Sequence, residues 1–222
     1  MNLQTGLINF SDTENAILMG SLLGDSTLQK RGLNSYRYRV CHGISQKQYV
    51  MWKYKNLINI CKTTQSPKEI INSKGDITYE FYSSSGVYLK GLFDLYYKPD
   101  PLNSERYIKT ITQELIDKLP LNPIILAVLF MDDGSVRNDC YSGKIATQCF
   151  SLGENNLLKD YLRKWDVDVN IVKHTKVSGQ YYISIPVKSF SRLVEIIEPI
   201  VKQIPEMVYK LNEDNKKSRL TP

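Results

Sequence analysis

The sequence has few of the residues that usually build metal or redox sites in small proteins. Its 222 residues include only 4 cysteines and 2 histidines. Cys41 and His42 are adjacent, but no further ligands follow at zinc-site spacing, and no two cysteines form a C-x-x-C pair. We therefore expect no structural zinc site. Scattered thiols favour a reducing compartment.

Long apolar runs are also missing. The longest, Ile124 to Met131, is far shorter than the ~20 residues that span a bilayer. Polar residues recur near the start of the sequence (Asn2, Gln4 and Asn9), so no signal peptide is expected. We expect a soluble intracellular protein without membrane contact, in an organelle (mitochondrion or chloroplast) or in a bacterial cytoplasm.

Acidic residues are outnumbered by basic ones. Lys and Arg number 29 against 23 Asp and Glu, for a net charge of +6, and apolar residues make up 42%. The apolar content is sufficient for folded cores. A basic protein suits a polyanionic partner because Lys and Arg contacts to phosphate release counterions. Charge alone, however, fits any ordinary soluble basic protein.

Two short stretches of the sequence share one plan. Leu18–Ser26 (LMGSLLGDS) and Leu126–Gly134 (LAVLFMDDG) are apolar runs of helical length that deliver Asp25 and Asp133 at their ends. An aspartate at a helix C-terminus opposes the helix dipole, at a cost of roughly 0.3–1 kcal/mol. Helix stability alone would not select this arrangement.

The first run also carries Gly20 and Gly24, each of which costs about 1 kcal/mol in a helix relative to Ala. Their spacing leaves bare backbone on one helix face. We predict that the two motif helices pack there side by side and parallel, which brings Asp25 and Asp133 together. For either motif alone, a packing glycine pair and a capping aspartate would be the commoner explanation. The repetition favours a functional one.

A pair of adjacent carboxylates predicts a cation site. Two such groups repel each other unless a cation or a proton lies between them. Mg²⁺ prefers oxygen ligands, and Mn²⁺ is a possible substitute. In a two-metal arrangement, it activates water and stabilises the leaving oxygen of a phosphodiester. Asp25 and Asp133 are therefore the predicted metal ligands and catalytic residues.

Both halves of the sequence predict the same order of elements: helix, strand, helix, hairpin, helix. The first helix should begin at a capping box formed by Ser11 and Glu14. Predicted helices are Ala16–Gly24, Tyr49–Cys61, Val87–Tyr97, Pro123–Asp132, Asn155–Trp165 and Ser189–Val201. Predicted strands are Ser35–Val40, Ile77–Tyr82, Lys144–Phe150, Asn170–Val177 and Gln180–Ile185. A proline-rich break after Lys98 divides the chain into half-domains 1–98 and 123–222 with a linker at 99–122.

The two runs resemble the motif of the LAGLIDADG homing endonucleases, in the single-chain type with two motif copies. They align without gaps, with Asp25 and Asp133 at the acidic eighth position. The first copy departs from the usual pattern at Ser21 and Ser26. Further blocks are similar to the yeast mitochondrial intron-encoded branch: Lys109-Thr110-Ile111, Thr147-Gln148 and Met207–Leu211.

The resemblance implies an α+β fold of two pseudo-symmetric half-domains, each with helices packed on a curved antiparallel sheet, joined through the paired motif helices. It implies that the acidic pair binds divalent metal and that Lys109 and Lys210 assist near the scissile phosphates. Gln148 would organise metal-bound water. Its counterpart in the first half is Ser45 or Gln46.

The implied activity is cleavage of both strands of a long, asymmetric double-stranded DNA site by a monomer, with each aspartate supporting one cut. Two alternatives use the same scaffold. One is a maturase that binds intron RNA, and the other is a transcription factor that binds DNA without cutting it.

A DNA-facing surface can be argued from strand periodicity. In the strand Ser35–Val40, Arg37 and Arg39 alternate with Tyr36, Tyr38 and Val40, so that one face is basic and the other apolar. Arg suits bidentate contacts to guanine in the major groove. The remaining predicted DNA-binding residues lie on neighbouring strands and turns: Lys30, Arg31, Lys47, Lys74, Arg137, Lys144, Lys173 and Lys176.

Overall fold

Helices and antiparallel strands follow one another along the residues that the structure, a computed structural model, describes: 10–61, 66–71, 73, 75–174, 177 and 179–213. The helices are α1 (Asp12–Leu23), α2 (Lys47–Asn56), α3 (Lys90–Tyr96), α4 (Gln113–Lys118), α5 (Pro123–Asp133), α6 (Leu152–Arg163) and α7 (Val187–Val201). The strands are β1 (Thr27–Gly32), β2 (Ser35–Gly43), β3 (Lys68–Ile71), β4 (Ile77–Tyr82), β5 (Tyr97–Asp100), β6 (Asn103–Lys109), β7 (Gly134–Val136), β8 (Gly143–Ile145), β9 (Asn170–Lys173) and β10 (Tyr181–Ile185). Short 3₁₀ helices cover Ile44–Gln46, Ile58–Ile60, Val87–Leu89 and Pro205–Leu211.

Two four-stranded sheets have the same strand order. The first is β1-β2-β4-β3 and the second is β7-β8-β10-β9. All neighbouring strands are antiparallel. The first helix begins with the predicted capping box of Ser11 and Glu14. The predicted α+β fold with a repeated helix-and-sheet plan is confirmed.

Each sheet is covered by helices on one face. On β2, Tyr36, Tyr38 and Val40 are buried, whereas Arg37 and Arg39 are only partly covered. Helix α2 packs on β2 and β4, and α6 packs on β9 and β10. The predicted alternation of apolar and basic faces is therefore present, and the basic face of β2 points away from the core.

The two motif helices α1 and α5 pack against each other in parallel. A Cβ on Gly20 would lie 2.9 Å from the Ile125 carbonyl oxygen, and one on Gly24 would lie 2.5 Å from the Asp132 Cβ. Gly20 therefore faces the beginning of α5 and Gly24 faces its end, as parallel packing requires. Only residues without a side chain allow this approach, so the prediction made from the glycine spacing is confirmed.

Some predicted bounds were wrong. The strand predicted at Lys144–Phe150 ends at Ile145, because the backbone turns where the Phe150 N–H donates to the Thr147 carbonyl. The helix predicted to reach Cys61 ends at Asn56 and is followed by a 3₁₀ helix.

The segment 99–122, predicted as a linker, contains most of a β-hairpin and a helix. Strands β5 and β6 pair with each other, and α4 follows them. The division into half-domains 1–98 and 123–222 remains a prediction. None of the described helices has the length and apolar character needed to span a membrane.

Candidate active site at the ends of the motif helices

The two predicted catalytic aspartates lie where α1 and α5 end. Asp25 follows the C-cap residue Gly24, and Asp133 is the last residue of α5. The backbone N–H groups of Gly24 and Gly134 still donate to helix carbonyls, at Gly20 and Phe130. Both carboxylates are therefore carried by the last hydrogen-bonded turn of a rigid, paired helix.

Two lysines bind the backbone at these helix ends: Lys210 is buried and Lys109 is partly buried. Lys109 Nζ donates to the carbonyl oxygens of Gly24 at 2.6 Å and Ser26 at 3.0 Å. Lys210 Nζ donates to the Gly134 carbonyl oxygen. Ser26 and Gly134 are the last residues of the two motif copies, so the lysines hold equivalent places. Each ammonium neutralises the negative end of a helix and lies beside the carboxylates.

The pKa of both aspartates is raised. For Asp133, burial is the main cause and the charges of Asp25 and Asp132 add to it, which brings its pKa to about 7. For Asp25, burial and then the charge of Asp132 raise the pKa. Burial lowers the pKa of Lys109 and Lys210, and the carboxylates oppose that change. The site thus concentrates negative charge that an added cation would stabilise.

Four residues beneath this site were not predicted from the sequence: Tyr49, Lys53, Asp132 and His42. The Asp132 carboxylate is fully buried and accepts hydrogen bonds from Lys53 Nζ, at 2.8 and 3.0 Å, and from the Tyr49 hydroxyl at 2.7 Å. It also accepts from the Asp25 backbone N–H at 3.2 Å. Lys53 and Tyr49 belong to α2 in the first half, so the ion pair joins the two halves. The sequence contained one signal of this network: Asp132 is acidic, whereas the equivalent residue of the first motif copy is Gly24.

His42, at the end of β2, lies between this ion pair and Asp25. Its Nε2 is 3.4 Å from Lys53 Nζ, and its Nδ1 is 3.7 Å from Asp25 Oδ2. Burial, and then the charge of Lys53, lower the pKa of His42 to about 4, so the ring is neutral at physiological pH. Nε2 also lies 3.7 Å from Asp132 Oδ1, and the Gln46 side chain hydrogen-bonds the ring. Since an ammonium can only donate, its contact with Nε2 favours the tautomer with the ring proton on Nδ1, the nitrogen that faces Asp25.

Asp25 and Asp133 offer carboxylate oxygens, the ligands that Mg²⁺ prefers. Asp25, His42 and Asp132 also place one donor atom each within 4.8 Å of one another. Lys53, however, already binds both oxygens of Asp132, so a cation occupies that side of the cluster. The Asp25 side chain keeps 46% of its surface exposed. Ligation of a metal by Asp25 and Asp133 remains a prediction, and Asp132 is held below them by Lys53 and Tyr49.

Gln148 lies apart from the strand on which it was predicted. It occupies a turn after β8 and is only partly buried. It shares a surface groove with Lys144, Lys173, His174 and Tyr182. Gln148 therefore lies beside the second sheet.

The candidates for the Gln148 counterpart, Ser45 and Gln46, lie in the 3₁₀ helix after β2. Gln46 Nε2 donates to the Tyr209 hydroxyl at 3.4 Å, whereas Ser45 is exposed. Strand pairing offers a further comparison, because Gly134 pairs with Ile145 and Thr27 pairs with Arg39. Continued by one residue, the first register places Val40 opposite Ser26, which is the motif equivalent of Gly134. Val40 and Ile145 are therefore equivalent positions. Two residues further along, the equivalent positions are His42 and Thr147, and both are buried.

Several predicted DNA-binding residues are held by neighbouring side chains on the sheet surface. Arg37 binds Gln29 Oε1, at 2.7 Å from Nη2, and stacks on the Tyr82 ring at 4.0 Å. Arg39 binds Glu80 Oε2 through Nε and Nη2, at 3.1 and 2.7 Å. These contacts fix the guanidinium planes before any ligand binds.

The other basic residues are more exposed. Lys47 pairs with Glu69, Arg137 pairs with Asp139, and Lys30 lies beside the Tyr107 ring. Arg31, Lys144 and Lys173 are exposed. Lys74 and Lys176 lie outside the described residues.

Comparison with known proteins supports the same fold and family. A family model described as the LAGLIDADG DNA endonuclease family matches residues 15–193. The solved structure of the homing endonuclease I-WcaI bound to its DNA recognition sequence covers 95% of this chain and 94% of its own, with a TM-score of 0.76 at 21% identity. A structure of I-DmoI in complex with DNA and Mn has a TM-score of 0.51 at 17% identity and covers 83% of this chain and 96% of that chain.

The curated relatives with similar sequences carry another name. Protein RecA of Mycolicibacterium chitae is 30% identical over 217 residues, which cover 90% of this chain and 47% of that protein. Protein RecA of Mycobacterium shimoidei is 29% identical with the same coverage. The chain therefore spans about half the length of the curated relatives it matches.

Proposed function

Because the chain belongs to the LAGLIDADG DNA endonuclease family, we propose that it is a monomeric endonuclease that uses divalent metal, with Mg²⁺ as the natural ion, to cut both strands of a long asymmetric DNA site. The observation that carries the proposal is the pair of aspartates at the ends of two parallel helices. The backbone at each helix end also binds a lysine, Lys109 or Lys210. No other described cluster combines these groups.

The residues of the site divide the work of phosphodiester cleavage. Asp25 and Asp133 would hold the metal, which would supply an activated water and stabilise the leaving oxygen. Lys109 and Lys210 keep a positive charge beside the site, where it can interact with the scissile phosphates. Their contacts to Gly24, Ser26 and Gly134 also fix the backbone that carries the aspartates.

The two sheets provide the DNA-binding surface. Each presents an outward face with basic residues, and the two faces differ in sequence. The positions of the second half that are equivalent to Arg37 and Arg39 contain no arginine, and β8 carries Lys144. Two different faces on one chain favour a non-palindromic target.

The solved relatives support DNA as the ligand. Their descriptions name DNA complexes with Mg, Mn or Ca. The RecA relatives are about twice as long as the region they share with this chain, so the name of the whole protein is a weak guide to this region.

The test is cleavage of a supercoiled plasmid library of candidate target sites with Mg²⁺, Mn²⁺ or Ca²⁺. We expect linear product with Mg²⁺ or Mn²⁺, and loss of linear product in both Asp25→Asn and Asp133→Asn. Lys118→Met serves as a matched control, because its exposed pair with Glu114 lies on α4. Unchanged cleavage by either aspartate variant would contradict the proposal. Tight binding without cutting in every metal would favour the transcription factor instead.

A further inference from the structure

The two aspartates of the site have different surroundings. Asp25 faces His42 Nδ1 at 3.7 Å, and the His42 ring is in turn held by Lys53. The corresponding buried position of the second half is Thr147. Its hydroxyl donates to Asn155 Oδ1 at 2.5 Å and so is committed to α6. The arrangement around Asp25 is therefore not repeated around Asp133.

We infer that His42 is a positioning residue for Asp25 alone, and that it supports cleavage of only one of the two DNA strands. The inference rests on the proposed endonuclease activity and on the expectation that each aspartate supports one cut. It gives the buried His42 side chain a function in addition to packing in the core.

The geometry fixes the imidazole from behind. Lys53 is fully buried and binds both Asp132 oxygens, so its ammonium cannot move away from the ring. Its remaining proton is directed at His42 Nε2, 3.4 Å away. The Tyr49 ring lies against the imidazole with centroids 5.2 Å apart, which limits rotation. The ring therefore keeps Nδ1 toward Asp25 and Nε2 toward Lys53 and Asp132.

In the inferred role, the Nδ1 side of His42 orients the Asp25 carboxylate. The side chain is 46% exposed and would otherwise sample several rotamers. The separation of 3.7 Å is longer than a hydrogen bond, and such contacts often shorten when metal and substrate bind. A carboxylate held through one oxygen by His42 keeps its other oxygen available for the metal, as supporting groups do around metal ligands.

The test compares His42→Leu and His42→Gln with the wild type on an end-labelled duplex that reports each strand separately. Leucine fills the space without a polar atom. We expect it to slow one strand at least tenfold and the other less than twofold, so that nicked circles accumulate from plasmid. Glutamine can accept from Lys53 and donate to Asp25. It should restore both rates to within about threefold of wild type.

Thr147→Val is the matched control, because it removes a buried polar group at the equivalent position of the second half. We expect no strand preference from it, and thermal unfolding establishes that each variant is folded. Equal slowing of both strands by His42→Leu, or no slowing, would overturn the inference. Wild-type protein that fails to cut at all would instead refute the proposed function.

Discussion

At the scale of residues, the site depends on a buried ion pair whose members come from the two halves. Asp132 and Lys53 are both without exposed side-chain surface, at an N–O distance of 2.8 Å. Removing one partner of such a pair leaves an uncompensated buried charge, which typically costs about 3–5 kcal/mol. The pair also supports Asp25, because Asp132 accepts its backbone N–H.

We expect Lys53→Met to lower the free energy of unfolding by about 3–5 kcal/mol, because Asp132 is then left buried and charged. The double variant Lys53→Met with Asp132→Asn should recover more than half of that loss, since no charge remains unpaired. Denaturant unfolding of the singles and the double gives the coupling energy.

Lys118→Met is the control for this cycle, since its pair with Glu114 is 58% exposed on both sides. It should cost less than about 1 kcal/mol. Additive effects of the two buried substitutions would contradict the interpretation of Asp132 and Lys53 as one unit.

Asp133 makes the stability of the metal-free protein depend on pH. Its pKa is raised to about 7 by burial and by Asp25 and Asp132, whereas an unfolded aspartate titrates near 3.9. The folded state therefore binds a proton that the unfolded state has lost. The resulting stabilisation is fully present below about pH 4 and is lost as the pH rises through about 7.

We expect the melting temperature of metal-free protein, corrected for the same curve of Asp133→Asn, to decline between pH 5 and pH 8. The subtraction removes the contribution of all other groups. Mg²⁺ should reverse the decline, because it binds the deprotonated carboxylates. A difference curve that stays flat across this range would show that Asp133 titrates normally.

At the scale of elements, the contact between α1 and α5 determines the distance between Asp25 and Asp133, the proposed catalytic residues. Gly20 and Gly24 have no side chain, which lets the Ile125 carbonyl and the Asp132 side chain approach α1 closely. The neighbours at Gly20 include backbone atoms, which cannot move as a side-chain end can. A methyl group there has to separate the helices.

We expect Gly20→Ala and Gly24→Ala each to destabilise the protein by about 1–3 kcal/mol through overpacking. Cleavage should fall further than the loss of folded protein explains, because the aspartates move apart. Gly91→Ala is the matched control: a Cβ at Gly91 in α3 meets nothing within 4 Å. That variant should be neutral or stabilising by up to about 1 kcal/mol. Equal effects at Gly91 and Gly24 would argue against a steric cause.

At the scale of the whole molecule, the two halves share one interior. Helices α1 and α5 bury each other, and further contacts join α2 to the end of the second half. The Gln48 N–H donates to Glu206 at 2.7 Å, and Trp52 Nε1 donates to Gln203 at 3.1 Å. Neither half can expose its motif helix without exposing an apolar surface.

We therefore expect a single cooperative unfolding transition, with calorimetric and van't Hoff enthalpies equal. Lys53→Met and Gly24→Ala should move that transition as a whole, because both act at the contact between the halves. Lys118→Met should leave it nearly unchanged. Two resolved transitions would mean that the halves fold independently.

Local chemistry was sufficient to predict the repeated plan of the fold from the sequence. The capping box at Ser11 and Glu14, the alternation in β2 and the glycine spacing in α1 each depend on neighbours close in the chain. These patterns determined the helices, the basic sheet face and the parallel packing of the motif helices. The two aspartates and both lysines followed from the motifs and the family resemblance.

What only the tertiary structure decided is the network below Asp25. His42, Lys53 and Asp132 come from β2, α2 and α5, and no spacing in the sequence relates them. A buried lysine is identified only by the carboxylate that compensates its charge, and here that carboxylate belongs to the other half of the chain. The sequence thus determined where the two aspartates are, whereas the folded structure decided that their surroundings are unequal.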